Sequence, residues 1–107
     1  MKVGIDIIEN KRLEGKEEFL NRILSTRELD IYNSRNKSLE FLGGRWAAKE
    51  AFLKALQQSI LAISLNEIEV LNKENGAPYI QFKERIYENV SISHEKEYSI
   101  AMVIIDE

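Results

Sequence analysis

One stretch of sixteen residues limits the possible folds of this chain more than any other: Phe41-Leu-Gly-Gly-Arg-Trp-Ala-Ala-Lys-Glu-Ala-Phe-Leu-Lys-Ala-Leu56. Its leucines, alanines and phenylalanines supply enough apolar surface for a helix to pack against a core. Ser38 is a suitable N-cap residue, so we expect the helix to begin there and to end at about Gln57. Two glycines at 43–44 cost roughly 1 kcal/mol each relative to alanine, which indicates that another group packs closely against the helix.

The same stretch carries four charged residues within ten positions: Arg45, Lys49, Glu50 and Lys54. Residues three and four apart share a helix face, so Glu50 and Lys54 are neighbours, and Arg45 and Lys49 form an adjoining row. One interpretation is an ordinary helix-stabilising pair, worth roughly 0.2–0.5 kcal/mol. The other is a carboxylate and several cations directed at a metal-bridged phosphate. The second interpretation requires another carboxylate elsewhere in the chain.

Length and charge exclude several classes of protein. A chain of 107 residues fits one domain, 1–107, and without cysteine it has neither a disulfide framework nor a thiolate site. There is no signal-peptide pattern and no apolar run of about 18 residues, so we expect a cytoplasmic protein that does not enter a membrane. The net charge is +2 for residues 1–55 and −5 for residues 56–107, which argues against general nucleic-acid binding.

Hydrophobic periodicity and turn residues divide the rest of the chain into short elements. We predict a buried first strand over residues 1–8 and a helix from the capping-box residue Ser25 to about Tyr32. Alternating and apolar runs predict strands at 67–72, 78–82, 90–93 and 98–105, the last of them central, and a helical turn at 83–89. The expected fold class is α+β: a mainly antiparallel sheet packed against the long central helix and the shorter helices.

Asp6 is the second carboxylate that the chemical interpretation needs. It interrupts an apolar strand, and a buried carboxylate must find a partner, either a structural one such as Arg12 or a metal ion. Asp6 and Glu50 together would suit Mg²⁺, which accepts few protein ligands and keeps several waters. Arg45, Lys49 and Lys54 would then neutralise the remaining phosphate charge. The single histidine, His94, either binds a phosphate or an adenine edge or has a structural role.

The sequence also resembles a known family over nearly its whole length. The resemblance is to the holo-[acyl-carrier-protein] synthases, the small bacterial 4′-phosphopantetheinyl transferases. It rests on the order and approximate spacing of four segments: Gly4-Ile-Asp6-Ile-Ile-Glu9 followed by Arg12, residues 41–54, Asn75-Gly-Ala-Pro-Tyr79, and Val90-Ser-Ile-Ser-His94. The Trp-x-x-Lys-Glu-Ala core is moderately specific alone and strongly specific together with the first strand and the Ser-His turn.

The resemblance implies a reaction, a set of site residues and an assembly. Asp6 and Glu50 are implied as catalytic Mg²⁺ ligands, Arg45, Lys54 and His94 as residues near the coenzyme A phosphates, and Arg12 as a contact of the acyl carrier protein. The implied reaction transfers 4′-phosphopantetheine from coenzyme A to a carrier serine and releases adenosine 3′,5′-bisphosphate. The implied assembly is a homotrimer with active sites at its subunit interfaces. The serine proton would pass to a metal-bound water or to a nearby carboxylate.

Two departures from the family pattern leave alternatives open. A glycine-rich Gly-Thr-Gly turn usually follows the main helix, whereas this chain has Leu56-Gln-Gln-Ser-Ile60, in which Ser59 could replace one glycine contact. The 14–18 segment is acidic where many relatives are basic, so carrier recognition would rest on fewer cations: Arg12, Lys16, Arg22 and Arg27. The alternatives are a binding module for coenzyme A or a carrier protein that does not catalyse transfer, and another Mg²⁺-dependent phosphate-ester enzyme.

Overall fold

A computed structural model describes residues 1–58 and 61–106. Among them the helices are α1 (Leu20–Ile23), α2 (Thr26–Ser34) and α3 (Leu39–Leu56), with 3₁₀ turns at Asn10–Leu13, Glu17–Phe19 and Leu65–Glu67. The strands are β1 (Lys2–Glu9), β2 (Glu69–Asn72), β3 (Pro78–Phe82), β4 (Arg85–Tyr87), β5 (Val90–His94) and β6 (Tyr98–Ile105). The predicted α+β class is confirmed, and α3 packs against the sheets. None of the described helices has both the length and the apolar character needed to cross a membrane.

Helix α3 lies at the centre of the molecule and is buried along most of its length. The Ser38 hydroxyl accepts a hydrogen bond from the backbone N–H of Phe41 at 3.2 Å, which confirms the predicted N-cap. The helix ends at Gln57, whose φ of 61° is the left-handed conformation that usually favours glycine. Strand β1 crosses α3 so closely that a Cβ on Gly4 would lie 1.8 Å from the carbonyl oxygen of Ala51. Only glycine fits at this crossing.

The first sheet has the order β1-β6-β5 with antiparallel pairing, so the last strand is central as predicted. Alternate residues of β6 face α3 and are buried, among them Ala101, Val103 and Ile105. The opposite face of the sheet is apolar yet exposed, with exposed fractions of 38% to 60% for Val3, Ile5, Ile7, Tyr98, Ile100 and Met102. The sheet therefore buries one apolar face and presents a second one to solvent.

The second sheet has the order β2-β3-β4, so the strands form two three-stranded sheets rather than the single sheet that the sequence predicted. The helical turn predicted at 83–89 is wrong. Lys83 and Glu84 adopt positive φ values of 49° and 64° and form a two-residue hairpin turn into β4. Tyr87 of β4 packs edge-to-face on Phe52 of α3, with ring centroids 4.9 Å apart. This aromatic contact favours a strand at Arg85–Tyr87, where the charged local sequence does not distinguish a strand from a helical turn.

Candidate active site

Asp6 lies in the middle of β1, and its carboxylate meets the last turn of α3. Its side chain is 17% exposed, and its Oδ1 accepts a charge-assisted hydrogen bond from Lys54 Nζ at 3.1 Å. The same ammonium donates to the backbone carbonyl of Ile5 at 2.9 Å. The close crossing of β1 and α3 at Gly4 brings these groups together. The partner of Asp6 is therefore Lys54 rather than Arg12.

Glu50 lies one turn before Lys54 on the same helix and close enough to Asp6 for the two carboxylates to interact. Burial raises the pKa of Glu50 above 4.5, the negative charge of Asp6 raises it further, and Lys54 acts in the opposite direction. Two carboxylates that repel each other in a half-buried site are a suitable donor set for a hard divalent cation, which takes its other ligands from water or from a phosphate. In residues 1–58 and 61–106, no cluster of three or more potential metal-ligating side chains occurs.

Arg45 lies in a second site at the N-terminal half of α3. It is 5% exposed, donates a hydrogen bond from Nη2 to the Asn72 side-chain oxygen, and stacks on the ring of Phe41 at 4.2 Å. Burial lowers its pKa to about 10, and the nearby positive charge of Arg35 contributes, so Arg45 remains a cation at neutral pH. Within the described part of the chain its buried Nε has no hydrogen-bond partner. This orphan donor is suited to an anionic ligand.

A cavity of about 330 Å³ surrounds this cation. Its lining includes Arg35 and His94 as well as Arg45, together with Ser38, Phe41, Pro78 and Ile92. His94 lies at the end of β5, half exposed, with Nδ1 3.7 Å from a carboxylate oxygen of Glu40. A Cβ on Gly44 would lie 3.2 Å from the Ile92 side chain, so the second glycine of α3 lets β5 approach the helix. Three basic side chains thus line the cavity: Arg35 from the turn after α2, Arg45 from α3 and His94 from the end of β5.

We call Asp6 and Glu50 the acidic site and the cavity around Arg45 the basic cavity. The two lie on different faces of α3. At 100° per residue, Arg45 and Glu50 are separated by about 140° around the helix axis. Arg45 and Lys54 are separated by about 180°, and by roughly 13 Å along the axis. Neither Asp6 nor Glu50 contributes to the lining of the Arg45 cavity. A single copy of the chain therefore presents the two groups of predicted site residues separately.

Comparison with known proteins identifies the family. The family described as the 4′-phosphopantetheinyl transferase superfamily matches residues 2–103.

The chain belongs to this superfamily.

Among its curated relatives is a holo-[acyl-carrier-protein] synthase of Mycoplasma mycoides, 48% identical over 95% of this chain and 91% of the relative. Another, from Oceanobacillus iheyensis, is 42% identical over 97% and 94%. The family and enzyme class predicted from the sequence are confirmed.

Solved structures of the superfamily have the same fold. The holo-(acyl-carrier-protein) synthase of Bacillus anthracis in complex with CoA (3′,5′-ADP) is 39% identical, with a TM-score of 0.84, and the match covers 95% of this chain and 92% of that one. The Helicobacter pylori enzyme in complex with coenzyme A is 30% identical, also with a TM-score of 0.84, over 97% and 99% of the two chains. The α+β architecture of this superfamily member is therefore common to chains that bind the coenzyme.

One cation of the superfamily motif is not available for the predicted role. Lys49 was expected beside Arg45 and Lys54 as a phosphate-neutralising group, but its side chain is completely buried. Its ammonium donates to the Glu28 carboxylate and to the backbone carbonyls of Ile23 and Leu65. Lys49 and Arg45 are four residues apart, as the sequence suggested, yet the segments packed on them differ. Lys49 therefore has a structural environment rather than a ligand-binding one.

Arg12 of this superfamily member lines a cavity of about 760 Å³. The cavity has an apolar floor with Trp46 and Leu13 and three cations at its edge, Arg12, Lys16 and Arg22. Two of these cations lie near the ring of Phe19, with Lys16 Nζ 6.0 Å and the Arg22 guanidinium carbon 5.5 Å from its centroid. Arg27, also suggested as a recognition cation, instead forms a 2.6 Å ion pair with Glu69. The sequence-predicted cations thus divide into three at the cavity and one paired elsewhere.

Sequence reasoning missed several residues of the basic cavity. Arg35 and Ser38 come from the turn before α3, and Phe41 and Asn72 hold the Arg45 guanidinium in place. The excess positive charge of residues 1–55, which include both Arg35 and Arg45, was the available signal. Sequence spacing alone does not show that a turn and a helix face lie side by side. Ser59, suggested as a replacement for a glycine contact, lies outside the described residues.

Proposed function

We propose that this chain transfers the 4′-phosphopantetheine group of coenzyme A to a serine of an acyl carrier protein in a Mg²⁺-dependent reaction. The serine oxygen attacks the phosphorus that carries pantetheine, the pyrophosphate P–O bond breaks, and adenosine 3′,5′-bisphosphate leaves. The serine proton would pass to a nearby carboxylate or to a metal-bound water. Catalysis of this kind depends on positioning and charge neutralisation more than on a covalent role of the enzyme. Superfamily membership and the relatives crystallised with coenzyme A support this proposal.

The observation that carries the proposal is the meeting of Asp6, Glu50 and Lys54. The two carboxylates would hold Mg²⁺, which when bound neutralises negative charge on the pyrophosphate. The raised pKa of Glu50 fits this role, because a cation between the carboxylates would relieve their repulsion and the cost of burial. Lys54 is 56% exposed, so its ammonium is free to turn from Asp6 toward a phosphate oxygen.

The basic cavity is the proposed site for the remaining phosphate of the coenzyme. Arg45 offers an Nε donor that has no partner among the described residues, while His94 and Arg35 add donors from the cavity wall. Stacking on Phe41 and the hydrogen bond to Asn72 fix the guanidinium before a ligand arrives, which reduces the ordering cost of binding. The cavity therefore suits a phosphate dianion better than a neutral ligand.

We further propose a homotrimer in which each active site lies between two subunits. Two observations support this assembly. The acidic site and the basic cavity lie on different faces of α3, so one coenzyme would reach both more readily across a subunit interface. The exposed apolar face formed by Val3, Ile5, Ile7, Tyr98, Ile100 and Met102 is also the kind of patch that marks an interaction surface.

The cavity at Arg12 is the proposed docking site of the carrier protein. Acyl carrier proteins are acidic, and Arg12, Lys16 and Arg22 stand around an apolar floor that contains Trp46. Cations at the edge would orient an acidic partner, and the apolar floor would accept a hydrophobic side chain from it. Docking there would bring the carrier serine toward Glu50 on α3 and the neighbouring Asp6 on β1.

The test is the mass of the carrier after incubation with this protein. Apo-carrier, coenzyme A and Mg²⁺ are mixed with the protein, and the carrier is weighed by mass spectrometry. We expect a gain of one phosphopantetheine per carrier, release of adenosine 3′,5′-bisphosphate, and loss of both in excess chelator. Coenzyme A binding by calorimetry without a mass gain on several carriers would contradict transfer and favour the binding-module alternative.

The interface proposal has its own experiment. Asp6→Asn removes a carboxylate of the acidic site and Arg45→Ala removes the cation of the basic cavity. If one active site combines the two groups from different subunits, mixing and re-equilibrating the two inactive variants restores part of the activity. Sedimentation of the wild type should give three times the monomer mass. A monomer, or no recovery in the mixture, would contradict the shared site.

A further inference from the structure

The buried ammonium of Lys49 joins three separate parts of the chain. Its Nζ lies 2.6 Å from Glu28 Oε1 in α2, 2.6 Å from the carbonyl oxygen of Ile23, and 2.9 Å from the carbonyl oxygen of Leu65. All three donor positions of the ammonium are thus occupied. Glu28 is equally buried, and its Oε2 accepts from the backbone N–H of Val70 at 2.8 Å. We call Lys49 and Glu28 the buried clasp.

The two carbonyls bound by Lys49 belong to residues that line the carrier-docking cavity. Ile23 is the last residue of α1, and Leu65 begins the 3₁₀ turn at 65–67. Trp46, on the same face of α3 and three residues before Lys49, lines the cavity as well. The short helix α1 has only four residues, so its C-terminal carbonyl needs an outside donor. One ammonium therefore fixes where α1 and the turn stand relative to α3.

Stability alone does not explain a charged group at this place. Replacing a buried ion pair by apolar residues of similar size is often neutral or stabilising, because the desolvation of both charges is avoided. Burial lowers the pKa of Lys49, with Glu28 acting in the opposite direction, so the pair does carry a desolvation cost. An apolar residue would fill the space, yet it could not bind two carbonyls at fixed distances.

We propose that Lys49 is a positioning residue for carrier docking: it holds α1 and the 65–67 turn against α3 and so sets the shape of the cavity edged by Arg12, Lys16 and Arg22. This inference rests on the proposed function, since it concerns the same transfer reaction. It assigns Lys49 no contact with coenzyme A, metal or carrier. Its effect on the reaction should therefore appear in the use of one substrate only.

The test compares two variants of the clasp with a control outside it. Lys49→Met removes the ammonium, and Lys49→Met with Glu28→Gln also removes the carboxylate that would otherwise be left buried and unpaired. The control is Ile80→Ala, a fully buried position in β3 outside the residues that line the cavity. All are assayed as full chains below their unfolding transitions, with KM measured separately for apo-carrier and coenzyme A.

For the clasp variants we expect KM for the carrier to rise about tenfold, the scale of one charge-assisted hydrogen bond. KM for coenzyme A and kcat at saturating carrier should change less than about twofold, because those terms do not involve the cavity. Hydrogen exchange at residues 20–24 and 65–68 should accelerate in the clasp variants relative to Ile80→Ala. The double variant should give the same pattern, because it too lacks the hydrogen bonds from Lys49 to the carbonyls of Ile23 and Leu65.

Several outcomes would overturn the inference, and they are distinguishable. A wild type that transfers nothing to any carrier overturns the proposed function and this inference with it. With an active wild type, equal changes in both KM values, or a pattern shared with Ile80→Ala, overturn the inference alone. Unchanged exchange at residues 20–24 and 65–68 contradicts its geometric basis, whatever the kinetics.

Discussion

Two lysines of helix α3 each form an ion pair with a carboxylate from another element, and the two pairs differ in their exposure to solvent. Lys49 and Glu28 are both completely buried, and every charge-bearing atom has a protein partner. Lys54 lies five residues after Lys49 and pairs with Asp6 of β1. Their side chains are 56% and 17% exposed, and a second carboxylate, Glu50, lies beside them. The first pair joins elements of the fold. The second leaves charge accessible to a ligand.

Solvent access decides which role each ion pair has. A buried pair is expensive to break, because the partner left behind is an uncompensated charge in a medium of low dielectric constant. An exposed pair contributes little, because water screens its attraction and the side chains lose freedom to make it. The exposed pair can therefore exchange its internal partner for a substrate or a metal ion at small cost to folding.

Breaking the buried pair should have the strongest effect on the free energy of unfolding of the protein. Lys49→Met should lower it by about 3–5 kcal/mol, because Glu28 remains buried without its counter-charge. Lys54→Met, the matched change at the exposed pair, should cost about 1 kcal/mol or less. Urea titrations at one fixed protein concentration measure both. Equal losses for the two variants would remove the distinction between the pairs.

The next effect is catalytic. Asp6→Asn should lower kcat/KM for carrier modification by about 10²–10³-fold, the scale of losing one preorganised electrostatic group. Its fold should persist, since the exposed pair contributes little to stability. Asp30→Asn in α2, an exposed position away from the site, is the charge-matched control and should retain activity. Near-normal turnover by Asp6→Asn would contradict its proposed role as a metal ligand.

A smaller effect is the pH dependence of stability that arises from Glu50, the carboxylate beside the exposed pair. The raised pKa of Glu50 means that the metal-free folded state holds its proton more tightly than the unfolded chain. This contribution to stability is fully present below about pH 4.5 and is lost as pH rises through the folded-state pKa. Glu50→Gln should therefore be more stable than the wild type at pH 7, with the gap closing in acid. Urea midpoints across that range test the sign.

Added Mg²⁺ should affect the stability of the wild type and of Glu50→Gln differently. It should stabilise the wild type at pH 7 and leave Glu50→Gln nearly unchanged, because a ligand that binds only the folded state raises its stability. Thermal midpoints with Mg²⁺ and with chelator measure this. The same response in both proteins would place cation binding elsewhere.

The smallest effect lies at the end of α3, outside both pairs. Gln57 holds a left-handed φ of 61°, so Gln57→Gly should raise stability by about 1 kcal/mol or less. Its backbone N–H already bonds the carbonyl of Lys54 at 3.1 Å, so the cap itself is retained. Urea midpoints measure the gain, and Gln58→Gly is the neighbouring control. A loss of stability at position 57 would contradict the strain argument.

The position of the first strand, the capping box of α2 and the whole of α3 were predictable because each depends on local spacing. The predicted burial of the first strand is wrong, since Val3, Ile5 and Ile7 are exposed. Ser25 and Glu28 cap each other as their spacing indicated, at 3.2 Å and 2.9 Å. The same local rules failed at 83–89, where a strand forms because Tyr87 packs on Phe52. That contact joins residues 35 positions apart, and no short window of sequence contains it.

The long helix, the central last strand and the candidates Asp6 and Glu50 follow from the sequence alone, because periodicity and residue type act over a few neighbouring positions. Tertiary packing is what places Lys49 in the core and leaves Lys54 accessible. Helical spacing gives the direction of a side chain but not the segment packed against it. Here α2 and the 65–67 turn cover one lysine, whereas β1 leaves the other open beside two carboxylates.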